Sequence, residues 1–449
     1  MNTIATIFLL INATLLLLLP LRWAALPLLL GACYMTLGQG VELGPFHFPV
    51  IRILIAVGVA RVMVRGERLS GPFNGLDGLM VAWAIWAVGS SVFHEPVSAT
   101  LVNRLGLIYY GCGIYFLLRV FCRTVDDVVN LCRITAILLI PLSLEMLSEL
   151  KTGRNLFAAL GGVNELSEVR NGIVRAQGPF AHSILAGSVG AASLPLLVVM
   201  RRKHWVISIA GVAACITMVQ ASGSSGPILS AGFAIVALAM WPCRRHMRMV
   251  RWLTVIGYVV LDLFMKAPAY FLLARIDITG SSTSWHRAEL IDAAIAHFPE
   301  WWLGGTDYTR HWMPYGVGWS GNHVDVTNYY IMMGIYGGLP LMLLFMAVLG
   351  KGFAFVGQQA TQSDGTEQGA MVPLVMWGLG AALFAQAATF LSVSYFDQSV
   401  VFLYLTLAAI CAGHQGTATL DAGVSVTVDP NSLLVSPARF DGRAASRWS

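Results

Sequence analysis

The chain has 449 residues, 57% hydrophobic and 11% charged, with a formal net charge of +5. An ordinary soluble domain is roughly 45–50% apolar and about 25% charged, so water is excluded as the main solvent. The excess positive charge lies in arginine clusters between apolar runs rather than in a nucleic-acid module, and the seven cysteines form no paired metal-binding spacing or disulfide framework.

A helical membrane span needs about 20 mainly apolar residues. Such runs, separated by charge, Gly or Pro, predict spans near 3–20, 23–38, 47–64, 77–93, 102–121, 131–149, 182–200, 205–221, 226–242, 252–270, 326–350, 370–391 and 398–413. The expected fold is an all-α, polytopic bundle of 12 to 13 spans, the lower number holding if 3–38 is one span plus a re-entrant piece. The first run lacks a preceding Lys or Arg and is followed by Arg22, the wrong order for a cleaved signal peptide, so it is read as a span.

Arg201, Arg202 and Lys203 follow one span, and Arg244, Arg245, Arg248 and Arg251 lie between two others. The positive-inside bias makes both clusters cytoplasmic, and counting from them places the polar tail 414–449 inside and loops 150–181, 221–226 and 271–325 outside. The membrane domain is therefore 1–413. The stretch Ser282–His297 suits an amphipathic helix along the interface, the tail is expected to be disordered, and loop 271–325 is the natural lid or active-site loop.

The outer side collects polar groups from three segments: Arg170, Arg175 and His182; the turn Ser222-Gly-Ser-Ser-Gly-Pro227; and Arg275, Arg287 and His323. Arginine is disfavoured there, and guanidinium matches phosphate oxygens with planar paired donors at any working pH. For a single Arg, snorkelling or pairing with Glu165, Glu168 or Glu289 competes equally; for the set, a phosphate clamp is the favoured reading. His323, in Gly-Asn-His-Val-Asp325, suits removal of a proton from an acceptor hydroxyl, with Asp325 orienting it or serving as base; a histidine bonded to a loop carbonyl is the competing reading. The Ser222 turn offers either backbone N–H groups to an anion or close helix packing. Trp285, Trp301, Trp302, Trp312 and Trp319 suit either sugar-ring stacking or an interfacial belt.

These residues resemble the O-antigen ligase and polymerase superfamily of bacterial membrane glycosyltransferases. The best match is Arg175-Ala-Gln-Gly-Pro-Phe180 with His182 and Gly187, followed by Ser222-Gly-Ser-Ser-Gly226, Arg287 after a Ser-rich stretch, Gly304-Gly305, and His323 with Gly334-Ile-Tyr-Gly-Gly338. Together they cover roughly 170 to 340 in order. The chain departs at Ser225, where the family often has Arg, and at Val324, where Asn is common; Arg275 or Arg170 are candidate substitutes for the missing charge.

The resemblance implies transfer of glycan from an undecaprenyl-diphosphate carrier to an acceptor hydroxyl at the periplasmic face of the bacterial inner membrane, with no metal, cofactor or nucleotide sugar. Arg175 and Arg287 would bind the diphosphate, Arg275 assist, and His323 take the acceptor proton. Arg170, His182, Ser222, Asp325 and Trp285 are further substrate-contact candidates. Implied partners are the lipid-linked donor, a glycan or lipid-linked acceptor, the bilayer and other polysaccharide assembly proteins. The expected activity is exopolysaccharide or O-antigen polymerisation; ligation of polymer to lipid A core and, in another class, a transporter or flippase are the alternatives.

Overall fold

The computed structural model describes residues 1–44, 46–275, 284–318, 320–361 and 367–424. It is 73% helical, with fifteen α-helices and almost no sheet, as the apolar runs predict. The first half holds α1 (Thr3–Leu18), α2 (Leu26–Tyr34), α3 (Val50–Arg65), α4 (Gly75–Gly89), α5 (Val97–Phe121) and α6 (Val125–Thr152). There follow α7 (Ser183–Val199), α8 (Trp205–Ala221), α9 (Ser225–Ala239) and α10 (Met247–Phe264). The outer segment, so named for the side it is expected to occupy, contributes α11 (Ser284–Ala296) and α12 (Phe298–Trp301), and the bundle closes with α13 (Tyr329–Ala360), α14 (Glu367–Thr389) and α15 (Val400–Val424). Two small antiparallel ribbons complete the fold: β1 (Gly40–Leu43) with β2 (Phe46–Pro49), and β3 (Glu168–Arg170) with β4 (Ile173–Arg175).

All thirteen expected spans fall on helix, so the chain is a multi-pass α-helical membrane protein. By length and composition, however, six helices among the described residues can cross a bilayer, or seven if α9 and α10, bent by 75° at their junction, count as one span. The difference from 12 to 13 has a physical cause. Three of the apolar runs form shorter helices, Thr3–Leu18, Leu21–Tyr34 and Trp205–Ala221, and in α15 the apolar part is Val400–Gln415. At 1.5 Å per residue, 16 residues of α1 reach only about 24 Å against a hydrocarbon core of about 30 Å. In α3 the charges Arg52, Arg61 and Arg65 dilute a 16-residue helix. At the other end, α15 carries helix past 413 to Val424, so the first part of the expected tail is helical; residues 425–449 lie outside the described residues.

Helix ends follow local chemistry. Asn74 and Thr124 cap α4 and α6 in reciprocal boxes with Asp77 and Asp127, satisfying N–H groups that a first turn leaves bare. Asp77 also binds Arg119 from the neighbouring α5, 3.0 Å between Nη2 and Oδ2, with both side chains fully buried. Tyr115 donates to the same carboxylate at 2.7 Å, and Arg119 Nη1 donates to the Ser70 carbonyl and to Gln415 of α15. Removed from water, this pair persists because its remaining donors and acceptors are satisfied.

The outer segment has its own small core. Leu290, Ala293 and Ala294 of α11 pack with Trp301, Trp312, Met313, Val324, Val326, Ile331 and Ile335. It rests on a break in α13, where Gly338 takes φ 74° and the Leu339 N–H leaves the helix ladder to donate to Trp302 O at 2.7 Å. Gly305, at φ 95°, approaches the Ile335 carbonyl too closely for any side chain. The Gly304-Gly305 and Gly334–Gly338 motifs thus form one close backbone crossing. The stretch expected to be helical is helix from Ser284, with Trp285 and Ile295 exposed and Arg287 buried; residues 282–283 and Trp319 lie outside the described residues.

Candidate functional site

The site grows from a hairpin. Asn171 and Gly172 both have positive φ, 50° and 78°, the geometry of a two-residue turn whose twist suits antiparallel strands. The resulting register sets Glu168 opposite Arg175. Arg175 Nη1 donates to Glu168 Oε2 at 3.0 Å and Nη2 to Ser224 Oγ at 2.5 Å. The arginine is 3% exposed, and its Nε is buried without a hydrogen-bond partner. It therefore sits at the N-terminus of α9, which begins at Ser225, adding a guanidinium to the positive end of a helix. Burial pulls its pKa below the usual guanidinium range, opposed by Glu168.

The segment after Arg175 is strapped down from three directions. Glu149, at the end of α6, accepts from the N–H groups of Gln177 and Gly178 at 3.1 and 2.9 Å. Asn155 Nδ2 donates to Gly178 O at 2.7 Å, and Gln398 Nε2 to Pro179 O at 2.8 Å. Asp397 Oδ2 accepts from Ala181 N at 2.9 Å while its other oxygen accepts from Ser399 N. A fixed strap delivers His182 to the N-cap of α7, where its Nδ1 accepts from Ile184 N at 3.2 Å.

His182 Nε2 lies 3.8 Å from Glu168 Oε2. Burial pushes the imidazole below its ordinary value; Arg175 and Arg170 add to this, and Glu168 and Asp325 oppose it. Asp325 thus belongs to the same electrostatic neighbourhood, although the hairpin and the outer segment are remote in sequence. The Asp325 carbonyl in turn meets His286 Nε2 at 2.9 Å, which docks α11 beside the segment carrying His323. Arg287 occupies the buried face of α11 with Leu290 and Ala294 and is 7% exposed.

Among the residues singled out from sequence, Arg170, Arg175, His182 and Asp325 share one electrostatic neighbourhood, and Arg287 and His323 lie on elements joined to it through His286 and Asp325. Two others point elsewhere, and a third is exposed. Ser222 gives its hydroxyl to Val219 O at 2.7 Å and is wedged against Gly187 of α7, so it packs helices while Ser224 meets the arginine. Trp285 is 56% exposed, on the face of α11 opposite Arg287. Arg275 is exposed at the end of the 3-10 turn Ala269–Arg275.

Two further arginines, one buried and one half-buried, were not singled out. Arg104, in the second turn of α5, is 4% exposed and stacks 4.2 Å above the Tyr336 ring, its Nε unpartnered. Arg52, near the start of α3, donates to His47 O at 2.9 Å and faces the Tyr110 ring at 5.6 Å. Their signal was arginine within apolar spans, at the ends remote from the basic clusters. Nearby, His94 Nδ1 is 2.6 Å from Asp307 Oδ1, pinning the outer segment to the α4–α5 junction.

Fold and site together define a multi-pass α-helical membrane protein with arginine, histidine and carboxylate groups gathered at one end of the bundle. No protein-family model and no curated protein matches the chain.

Proposed function

We propose that this protein is a membrane glycosyltransferase of the O-antigen ligase and polymerase kind, transferring or polymerising glycan repeat units from an undecaprenyl-diphosphate carrier onto an acceptor sugar hydroxyl at the periplasmic face. The observation that carries the reading is Arg175, a buried guanidinium held by Glu168 and Ser224 at a helix N-terminus, with Nε left over. Fixed donors of this kind favour a dianionic leaving group, since they need no reorganisation as charge develops.

In this reading Arg175 and Arg287 hold the diphosphate. The acceptor oxygen attacks the anomeric carbon, the bond from that carbon to the diphosphate oxygen breaks, and the leaving diphosphate keeps the electron pair. His323 takes the acceptor proton, its segment being oriented through Val317 N to His323 O and Val324 N to Thr309 Oγ1. An apolar groove between α11 and α13, lined by Ile291, Ile295, Phe298, Ile331, Leu339 and Met342, suits a prenyl chain beside this end of α11.

The test is the glycan profile of a knockout strain complemented with wild type or Arg287→Ala. Accumulated single lipid-linked repeats identify a polymerase; long lipid-linked polymer that never reaches lipid A core identifies a ligase. A profile unchanged from wild type refutes the transferase and returns the transporter.

A further inference from the structure

The outer segment carries a side-chain cluster that the proposed transfer does not use. His297 follows α11, Glu300 lies in α12, and His311 sits in the 3-10 turn Arg310–Trp312. His297 Nδ1 is 2.7 Å from Glu300 Oε1, and His311 Nε2 is 2.8 Å from Glu300 Oε2. One donor atom from each residue lies within 4.8 Å of the other two. Aromatic neighbours fix the rings: Trp312 stacks on His297 at 5.8 Å and 7°, and Tyr308 stacks on His311 at 5.1 Å and 7°. The two imidazoles meet edge-on, 4.7 Å apart, and Trp312 Nε1 donates to Glu300 Oε2 at 3.1 Å.

We propose that His297, Glu300 and His311 form a binding site for a divalent transition-metal ion, with zinc the best match. Two imidazoles and a carboxylate are a zinc donor set, whereas magnesium and calcium prefer oxygen alone. Three protein donors leave the fourth tetrahedral position to water. The present contacts are protonated forms of the bonds an ion would make. The protons shared between imidazole and carboxylate leave as the ion enters, and the donors spread to the separation of about 3.3 Å that tetrahedral zinc requires.

Such an ion would brace the segment that bears His323. Thr309 and Arg310 both donate their N–H groups to Asn322 O at 3.0 Å, and Thr309 Oγ1 accepts from Val324 N at 3.1 Å. Holding His311 therefore holds residues 322–324. Ion binding itself stands apart from the transferase reading; only the consequence for His323 rests on it.

The experiment uses the full-length chain without a polyhistidine tag, purified in detergent, stripped with chelator and titrated with Zn²⁺ and Co²⁺. One Zn²⁺ per chain is expected, with Co²⁺ giving the intense visible bands of four-coordinate cobalt. Glu300→Gln, which keeps the side chain's shape, and His311→Ala should each weaken binding at least about tenfold. Absence of zinc binding to the wild type overturns the proposal, as does unchanged stoichiometric binding in the His297→Ala/His311→Ala double variant. These readings need no glycan assay, so failure of the transferase assignment leaves them intact.

Discussion

Glu168 and Arg175 face each other across a two-residue hairpin, carboxylate to guanidinium at 3.0 Å, and the second arm of the guanidinium reaches Ser224, the N-cap residue of α9. A lysine offers a single ammonium where this geometry uses a planar fork. Arg175→Lys should therefore lose transfer by roughly a hundredfold or more, the scale on which misplaced groups fail, while accumulating in the membrane like wild type. In vitro transfer from lipid-linked donor, with immunoblotting for protein level, checks this.

The environment of His182 sets a pH dependence. Its folded pKa lies below the ordinary 6.5 because burial and Arg175 disfavour the charged form. A depressed folded value means that the stabilising contribution is fully present above the unfolded value and is lost as pH falls through the folded one. Acidification below 6.5 should therefore lower the melting temperature of wild type more than that of His182→Gln, read by thermal unfolding in detergent at a series of pH values.

Removing one partner of the buried Asp77–Arg119 pair strands the other. Asp77→Ala should cost about 3–5 kcal/mol of stability. The double variant Asp77→Leu/Arg119→Met should recover most of the loss, measured by chemical denaturation of the purified chain.

A side chain at Gly187 has no room, since its first carbon would lie 2.6 Å from Ser222 Oγ and 2.8 Å from Pro227 Cβ. Gly187→Ala should displace the turn that presents Ser224 to Arg175, costing about 1–3 kcal/mol and lowering transfer with it. Melting temperature and transfer rate, measured side by side, should fall together.

Orientation has a native reporter. Cys243 is the exposed cysteine, within the basic 3-10 turn Trp241–His246; the other six are buried or half-buried. If the arginine clusters face the cytoplasm, a membrane-impermeant maleimide should label Cys243 in inside-out vesicles and not in intact spheroplasts. The reverse pattern inverts the topology and puts the proposed site on the wrong side of the membrane.

Helical character was legible in the sequence wherever an apolar run was present, because hydropathy and span length rest on the same constraint, satisfaction of the backbone without water. The number of crossings was not, since whether runs such as Leu26–Tyr34 reach across depends on packing and tilt rather than composition. Arg175 and Arg287 drew notice because arginine is out of place on a side expected to face outward. The hairpin joining Glu168 to Arg175 announced itself in Asn171-Gly172, a local signal that the long apolar runs overshadowed. The grouping of His297, Glu300 and His311 left less trace. Their separations of three and eleven residues match no linear metal motif, and it is the turn after α12 that closes the third donor onto the first two.

Helix α10 spans eighteen residues, none of them buried. It joins the helices that carry the Arg175 end of the site to the segment that carries Arg287 and His323, yet it adds nothing to the packed interior. Covalent continuity at that point is thus separable from architecture. Two co-expressed fragments divided at the Trp241–His246 turn should recognise each other in the bilayer and rebuild the same site, making the protein a natural candidate for a split, reassembling version of itself.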